Sequence, residues 1–331
     1  MNKPNYFVSG IAVALLGGSI LYYQLFFLLA RFPPPKGFAG NAAVIEHKIS
    51  KASEIKSPKL LLVGGSSVGS GISAKTLNSK LGITTFNFSF WGSLGASYIL
   101  HLAKKVLKPG DTVLLCLEYE ILDWRGPTNY WSDVDFIRFI IGFEPDYIEG
   151  KDFFEKAWLA FSAPPRIMLN GFIRKRESIH FDFLENHNLY GDSINNSMEN
   201  KIKELEHYEN QIKQKSSAYM SGFQCEPKGA KAVHKFLSWA KKNQIQVIAT
   251  YPNLAYNKEY TDEQSVVVEK QIQKMYAEFE IPVLGSPEDS ILPEVLFYDT
   301  NYHLLETATI QRTKRLINEI QDYRLENKIK F

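Results

Sequence analysis

A long uncharged segment near the start of the chain limits the folds that the protein can adopt. No charged residue lies in Pro4–Ala30, and the 24 residues of Phe7–Ala30 are mostly apolar. A helix rises about 1.5 Å per residue, so about 20 apolar residues cross the hydrocarbon core of a bilayer. A cleaved signal peptide has a shorter apolar region, of about 7–15 residues, followed by small residues. Here Arg31 and a proline run follow instead, so we predict an uncleaved N-terminal transmembrane anchor over residues 1–31.

The charges beside this anchor say little about the side of the membrane on which the body lies. Lys3 precedes the apolar stretch, and Arg31 and Lys36 follow it. By the positive-inside rule this small excess favours a cytoplasmic body. The chemistry of the candidate site favours a body outside the cytoplasm, and the two indications conflict.

Composition excludes several classes of protein. The 331 residues include 38 Lys plus Arg and 36 Asp plus Glu, and 45% are hydrophobic. A disordered chain has a large charge imbalance and low hydrophobicity, and a nucleic-acid partner requires a basic surplus. The only cysteines, Cys116 and Cys225, exclude a disulfide scaffold and metal sites built on CxxC pairs. We expect no nucleic-acid partner, no metal and no cofactor.

The remaining residues predict a linker followed by one α/β domain. Residues 32–58 begin with a proline run that favours extended polyproline II, so they are predicted to be a linker. In residues 59–331, short apolar runs alternate with amphipathic helical patterns, which is typical of a three-layer fold with a parallel sheet covered on both faces. The predicted strands are 59–63, 84–88, 112–117, 246–250 and 281–284, and the predicted helices are 73–81, 96–107, 228–242, 263–279 and 304–323.

Residues 124–225 interrupt this alternation. They are rich in aromatic residues, including Trp124, Trp131 and Trp158, and contain the basic cluster Arg174–Arg176. We interpret them as a helical insertion whose aromatic residues mainly pack in a core and whose basic cluster is solvated.

The turn after the first strand is the first candidate site, because ligands of open α/β sheets bind at the carboxyl ends of the strands. The segment Leu62–Gly71 reads LVGGSSVGSG. It lacks the lysine of a P-loop, and no acidic residue follows the second strand as a dinucleotide site requires. Glycines at 64 and 65 allow a sharp turn that can present Ser66 as a nucleophile, although a plain Gly/Ser turn is the simpler alternative.

A serine nucleophile requires a base, because a free hydroxyl reacts weakly near neutral pH. Of the seven histidines, His303 stands out because it lies in a loop just before the last predicted helix. Asp299, four residues earlier, can orient the imidazole and stabilise its charged form. The sequence therefore predicts Ser66, His303 and Asp299 as a catalytic set.

A Gly-x-Ser turn after the first strand, with an Asp…His loop before the last helix, resembles the SGNH/GDSL hydrolase superfamily, whose fold is flavodoxin-like. The likeness covers about half of the chain. It implies that Ser66 is the nucleophile, that Asp299 and His303 are the acid and base, and that Gly92 donates a backbone N–H to the oxyanion.

The chain departs from the family pattern at several positions. Asp299 and His303 are separated by three residues instead of two, and Gly65 stands where the family has Asp. The turn can also be read one residue later, with Ser67 as the nucleophile. The third strand leads to Glu118, where the family often has an oxyanion Asn, and an ionised carboxylate cannot donate. Either Asn253 completes the oxyanion hole or Glu118 has another role; one missing donor costs about 10²–10³ in rate.

Within this superfamily the chain is similar to a membrane-anchored branch whose members work beside membrane-bound O-acyltransferases, in lipoteichoic-acid D-alanylation and alginate acetylation. The segment Lys108–Leu115 (KPGDTVLL), followed by Glu118 and Tyr119, carries this likeness. It implies a serine acyltransferase or esterase acting on acyl groups, such as O-acetyl, of a cell-surface or exported glycan. It also implies a polytopic O-acyltransferase as partner and a body at the cell surface or in the periplasm.

Two other functions remain open from the sequence. Glu118 in the oxyanion position is also what a catalytically inactive glycan- or partner-binding protein could carry. The glycine-rich turn leaves open a nucleotide- or phosphate-binding α/β protein.

Overall fold

A computed structural model describes residues 3–30, 36–123, 141–162, 185–203, 205–220, 222–225 and 228–327. The described residues fall into two compact units. One comes from Met1–Ala43 and Pro127–Phe181, and the other from Val44–Gly126 and Asp182–Phe331.

The first unit contains the apolar N-terminal helix. Helix α1 covers Lys3–Ala30, and its stretch Tyr6–Leu29 is long and apolar enough to cross a membrane, with only 6% of its most apolar window buried by protein. Helices α7 (Pro145–Glu149) and α8 (Phe153–Ser162) belong to the same unit. Length and composition thus agree with the predicted anchor helix.

The second unit is built on a five-stranded parallel sheet. Its order is β2-β1-β3-β4-β6, an order shared by doubly wound α/β sheets. The strands are β1 Leu60–Gly64, β2 Thr85–Ser89, β3 Thr112–Cys116, β4 Gln246–Thr250 and β6 Val283–Leu284. The three strands β1, β2 and β3 are buried along their whole length, which explains why β1 and β3 read as apolar runs. The predicted parallel α/β sheet is confirmed.

Helices flank this sheet. Leu60 and Leu62 of β1 pack with Leu316 and Ile320 of the last helix in one apolar core. The helix Gly95–Val106 (α5) contacts both β1 and the helix Lys228–Lys242 (α12). The helices of the second unit are α2 Lys36–Glu54 (which begins in the first unit), α3 Ser66–Gly69, α4 Ala74–Leu81, α5 Gly95–Val106, α6 Tyr119–Leu122, α9 Met198–Lys203, α10 Leu205–Ile212, α11 Ser217–Met220, α12 Lys228–Lys242, α13 Asp262–Ala277, α14 Pro287–Ser290 and α15 Glu306–Asn327.

The expected linker differs from the observed structure. Within residues 32–58, Lys36–Glu54 is a 19-residue helix rather than an extended segment. Its buried residues include Val44, Ile45, Lys48 and Ala52, whose helical spacing gives the helix one face that packs on protein. The proline run preceding it misled the prediction, because a proline run limits only its own residues and the one before it.

The insertion is described only in part. Five short helices, α7 to α11, lie in the described part of residues 124–225. Trp124, Trp131 and Arg174–Arg176 lie outside the described residues. A second, two-stranded parallel sheet pairs β5 (Leu254–Ala255) with β7 (Ile291–Leu292), and the sequence analysis did not predict it.

A buried ion pair holds the amino ends of two central strands together. Lys59 Nζ lies 2.6 Å from Asp111 Oδ2, and both side chains are fully buried. The same carboxylate accepts hydrogen bonds from the backbone N–H groups of Lys59 and Lys108. Asp111 therefore links the start of β1 to the turn before β3.

We predict that Asp111→Ala lowers the free energy of unfolding by about 3–5 kcal/mol, because it leaves the Lys59 ammonium buried without a counter-charge. Urea denaturation of the full chain in detergent measures this change. The exposed pair Lys51–Glu54 is the control: Glu54→Ala should leave the midpoint unchanged. Equal effects of the two substitutions would contradict the role given to Asp111.

Candidate active site

The predicted serine turn lies at the carboxyl end of β1. The strand ends at Gly64, and the one-turn helix α3 begins at Ser66. Ser66 is partly exposed, whereas Ser67 is fully buried and its Oγ has no hydrogen-bond partner. Of the two candidate nucleophiles, Ser66 is therefore the one that a substrate can reach.

The two positions before this serine have no room for a side chain, so both require glycine. A Cβ on Gly64 would overlap the carbonyl oxygen of Cys116 at the end of β3. A Cβ on Gly65 would overlap both carboxylate oxygens of Glu118. The serine turn therefore packs directly against the residues that follow the neighbouring strand.

Glu118 is a buried carboxylate that binds the backbone of the serine turn. Its Oε2 accepts a hydrogen bond from the N–H of Gly65 at 3.1 Å, and its Oε1 accepts one from the N–H of Ser67 at 2.9 Å. Burial raises the pKa of this carboxyl group, and the hydrogen bond from Ser67 partly offsets the effect. This contact gives Glu118 a definite role in holding the turn.

Gly92 borders the same carboxylate. It begins a single 3₁₀ turn, Gly92–Leu94, after β2, and a Cβ built on it would lie 3.6 Å from Glu118 Oε1. The fold thus brings the serine turn and the predicted oxyanion glycine next to the same side chain. Whether the N–H of Gly92 binds an oxyanion stays a prediction.

The predicted acid and base form a close pair. His303 Nδ1 lies 2.6 Å from Asp299 Oδ1, and both side chains are partly exposed. The loop between them is closed by a bridge of Phe297 with Leu304 and by a 2.8 Å hydrogen bond from Tyr298 N to His303 O. With three residues between them, Asp299 and His303 still meet, so the longer spacing does not prevent their pairing.

A backbone contact ties this loop to α3, the one-turn helix that begins at Ser66 (the serine helix). The N–H of Leu304, the residue after His303, donates to the carbonyl oxygen of Ser70 at 3.2 Å. Thr309 Oγ1 donates to the same carbonyl at 2.8 Å. Ser70 directly follows the one-turn helix that begins at Ser66, so the late loop and the early turn are neighbours.

Asn253 holds the same loop from another side. It is fully buried, and its Nδ2 donates to the carbonyl oxygen of Tyr302. Tyr302 Oη in turn donates to Glu120, and the N–H of Ala255 donates to the carbonyl oxygen of Asn301 at 2.9 Å. The geometry gives Asn253 a structural contact, and its predicted use as an oxyanion donor is untested.

Of the predicted catalytic set, His303 and Asp299 are close enough to share a hydrogen bond, but in the described structure Ser66 is not joined to His303. Within the part of the chain that the structure describes, no hydrogen bond joins Ser66 to His303. Catalytic hydrogen bonds are often long before substrate binds, so this arrangement does not exclude the pair. The contact between Ser66 and His303 stays a prediction.

Lys48 is a buried residue that the sequence analysis missed. From helix α2 its Nζ donates to three backbone carbonyls, those of Asn87, Ser89 and Gly191, at 2.9–3.1 Å. Burial lowers its pKa to about 7, although the charge of Asp192 opposes that shift. A lysine in the middle of an apolar helical face was the signal that could have revealed it.

Asp192 organises the neighbouring backbone. Its carboxylate accepts hydrogen bonds from the N–H groups of Ala74 (2.7 Å) and Lys75 (3.1 Å) at the start of α4, and from Asn87 Nδ2 (3.2 Å). Asn87 Nδ2 also donates to the carbonyl of Val68 in the serine helix, at 3.2 Å. Lys48 and Asp192 therefore set the position of the carboxyl end of β2.

Among the described residues, no group of three or more His, Cys, Asp or Glu side chains could hold a metal ion. The expectation that no cofactor is used stays a prediction.

Comparisons with known proteins give no family assignment. No family model matches the chain, and no curated protein matches it. A solved structure, that of protein YxiM from Bacillus subtilis, is similar at 10% identity with a TM-score of 0.37. The match covers 81% of this chain and 57% of YxiM, so it spans less than two thirds of that protein.

We predict that Glu118→Gln lowers the free energy of unfolding by about 1–3 kcal/mol, because the amide nitrogen cannot accept from Gly65 or Ser67. One buried N–H then loses its acceptor. Urea denaturation measures the loss, and Glu263→Gln, on an exposed turn of α13, is the matched control. Unchanged stability of Glu118→Gln would show that the carboxylate does not hold the turn.

Lys48 gives a pH-dependent prediction. Its pKa is lower in the folded chain than in the unfolded chain, so above pH 7 the unfolded state binds more protons and stability rises with pH. Between pH 7 and pH 9 the free energy of unfolding of the wild type should rise by about 2 kcal/mol relative to Lys48→Met. Denaturation of both proteins at the two pH values measures the difference. A constant difference would contradict the shifted pKa.

Proposed function

We propose that the protein is a membrane-anchored serine acyltransferase or esterase that acts on acyl groups of a cell-surface or exported glycan. O-acetyl is the acyl group that the resemblance to the SGNH/GDSL superfamily favours. The observation that carries the proposal is the Asp299–His303 pair, tied through Leu304 N and Ser70 O to the helix that begins at Ser66.

The proposed mechanism follows from the orientation of the histidine. With Nδ1 facing Asp299, Nδ1 carries the proton and donates, so Nε2 is left as the base. Ser66 Oγ attacks the acyl carbonyl while Nε2 takes its proton, and the proton then passes to the leaving alcohol. Water or a sugar hydroxyl, deprotonated by the same Nε2, attacks the acyl-enzyme and releases Ser66.

The proposed oxyanion donors are the backbone N–H groups of Ser66 and Gly92. Glu118 occupies the N–H groups of Gly65 and Ser67, which flank Ser66, and so leaves the N–H of Ser66 as the donor of that turn. Preorganised N–H groups stabilise the charge that develops on the carbonyl oxygen. Glu118 thus acts on catalysis through the turn and not through the oxyanion.

The proposed setting is a membrane. Helix α1 is long and apolar enough for an anchor, and the strand order is the flavodoxin-like order expected of an SGNH-like domain. We propose that the body lies outside the cytoplasm, where exported glycans occur, against the slight charge bias at the anchor. The proposed partner is a polytopic membrane-bound O-acyltransferase that supplies the acyl group.

One observation favours a second candidate function. Because no hydrogen bond joins the described side chains of Ser66 and His303, the same fold is compatible with a catalytically inactive protein that binds a glycan or a membrane partner.

We predict that Ser66→Ala lowers kcat for p-nitrophenyl acetate by at least about 10³-fold, and that Asp299→Asn lowers it by about 10²–10⁴-fold with KM little changed. Stopped or continuous release of nitrophenolate by the full chain in detergent measures both effects. Ser67→Ala is the matched control, because its buried hydroxyl has no partner in the fold.

The outcomes separate the candidates. Full activity of Ser66→Ala with loss of activity in Ser67→Ala would identify Ser67 as the nucleophile. Full activity in both variants would contradict a serine nucleophile in this turn. No activity in the wild type would overturn the enzymatic proposal and favour the binding protein.

A further inference from the structure

Helix α8, in the first unit, carries an unusual exposed aromatic surface. Its exposed fractions are 66% for Phe153, 80% for Phe154, 42% for Trp158 and 53% for Phe161. At about 100° per residue, these four rings fall within an arc of about 140° on one side of the helix. Leu159 and Ala160, which fall outside this arc, are buried. The exposed arc is therefore a continuous aromatic face and not a scatter of single residues.

Two of these rings lie against the candidate membrane span. Phe161 stacks on Tyr22 with ring centroids 5.4 Å apart, and Phe153 lies 6.0 Å from Tyr23. Tyr23 precedes Leu29, the last residue of the apolar stretch, by six residues. At 1.5 Å per residue, this contact lies about 9 Å inside the end of the span. Interfacial helices bury their apolar faces to about this depth, roughly 5–10 Å.

The same contacts give the direction of α8. Phe153 and Phe161 are about 12 Å apart along α8, whereas Tyr22 and Tyr23 differ by only about 1.5 Å in height along α1. Helix α8 therefore crosses α1 steeply. If α1 runs across the bilayer, α8 lies close to the membrane plane.

The charged residues of α8 and the aspartate before it fall outside the aromatic arc. Asp152 caps the helix by accepting a 2.8 Å hydrogen bond from Glu155 N, and Lys156 Nζ donates to the carbonyl of Glu149 at 2.9 Å. Long charged side chains at such a position can reach the headgroup layer. An apolar aromatic face with charged residues outside it is the pattern of a helix that lies in the membrane interface.

We propose that α8 is a membrane-interface helix whose aromatic face, led by Phe154 and Trp158, inserts into the lipid leaflet where α1 ends. The occupant of this face is the bilayer itself, because the face continues the lipid-exposed surface of α1 at the same depth. The proposal rests on the membrane anchor of the proposed function and is independent of the enzymatic activity.

The experiment places an environment-sensitive NBD label at single introduced cysteines in the full chain, reconstituted into phosphatidylcholine/phosphatidylglycerol nanodiscs. The positions are Phe154→Cys in the aromatic face, Leu16→Cys in the span and Val295→Cys on the other unit, and all three side chains are exposed. Cys116 and Cys225 are buried, and the wild type measures any labelling at them. Doxyl lipids and aqueous iodide serve as quenchers.

The expected result is that the label at 154 is quenched by doxyl lipids, as at position 16. Its quenching by iodide should be at least five-fold weaker than at position 295. Iodide quenching at 154 equal to that at 295, with lipid quenching at 16, would overturn the interface helix and leave the anchor standing. Protection of 154 from both quenchers would show a protein cover and also overturn the proposal. Absence of lipid quenching at position 16 would contradict both the proposed anchor and the proposed interface helix.

A second measurement uses intrinsic tryptophan emission, so that no introduced label can disturb the helix. Brominated lipids should quench a smaller part of the tryptophan emission in Trp158→Phe than in the wild type. An unchanged quenched fraction would contradict the insertion of Trp158.

Discussion

The buried carboxylate of Glu118 is the contact on which the candidate site depends. It follows the central strand β3 and accepts backbone hydrogen bonds from both sides of Ser66. Because Gly65 lacks a Cβ, the carboxylate can approach the backbone of the turn, and Gly92 borders it from β2. This side chain thus bonds the turn after β1 to the segment after β3, and the turn that follows β2 lies beside it. Its burial raises its pKa, which means that the turn is held by a group whose charge is costly to bury.

The second requirement of the site is contact between segments far apart in the chain. The His303 loop reaches the serine turn through the bond from Leu304 N to Ser70 O, and Asn253 and Tyr302 hold the loop in place. A parallel sheet makes this possible, because it gathers the carboxyl ends of strands that are distant in sequence along one edge. The chemistry proposed for the site follows from that convergence and from the orientation of the His303 ring.

Much of this fold could be predicted from the sequence, because buried parallel strands leave continuous apolar runs, such as those of β1 and β3, between amphipathic helices. The pairing of Asp299 with His303 could also be predicted, since four residues in a loop keep two side chains within reach. Tertiary contacts decide the rest. The strands β5 and β7 have two residues each and carry no pattern of their own. The sequence places Lys48 within an apolar helical face and Glu118 after the third strand, but only the fold shows which backbone groups they bind.

The central claim is that Ser66 is a nucleophile activated by His303. Incubation of the full chain with a fluorophosphonate, followed by digestion and peptide mass spectrometry, tests it most directly because the adduct marks the reacting oxygen. We predict one phosphonyl adduct, on Ser66, that is lost when His303 is replaced by Ala. An adduct on Ser67 alone, or no adduct on the wild-type protein, would contradict it.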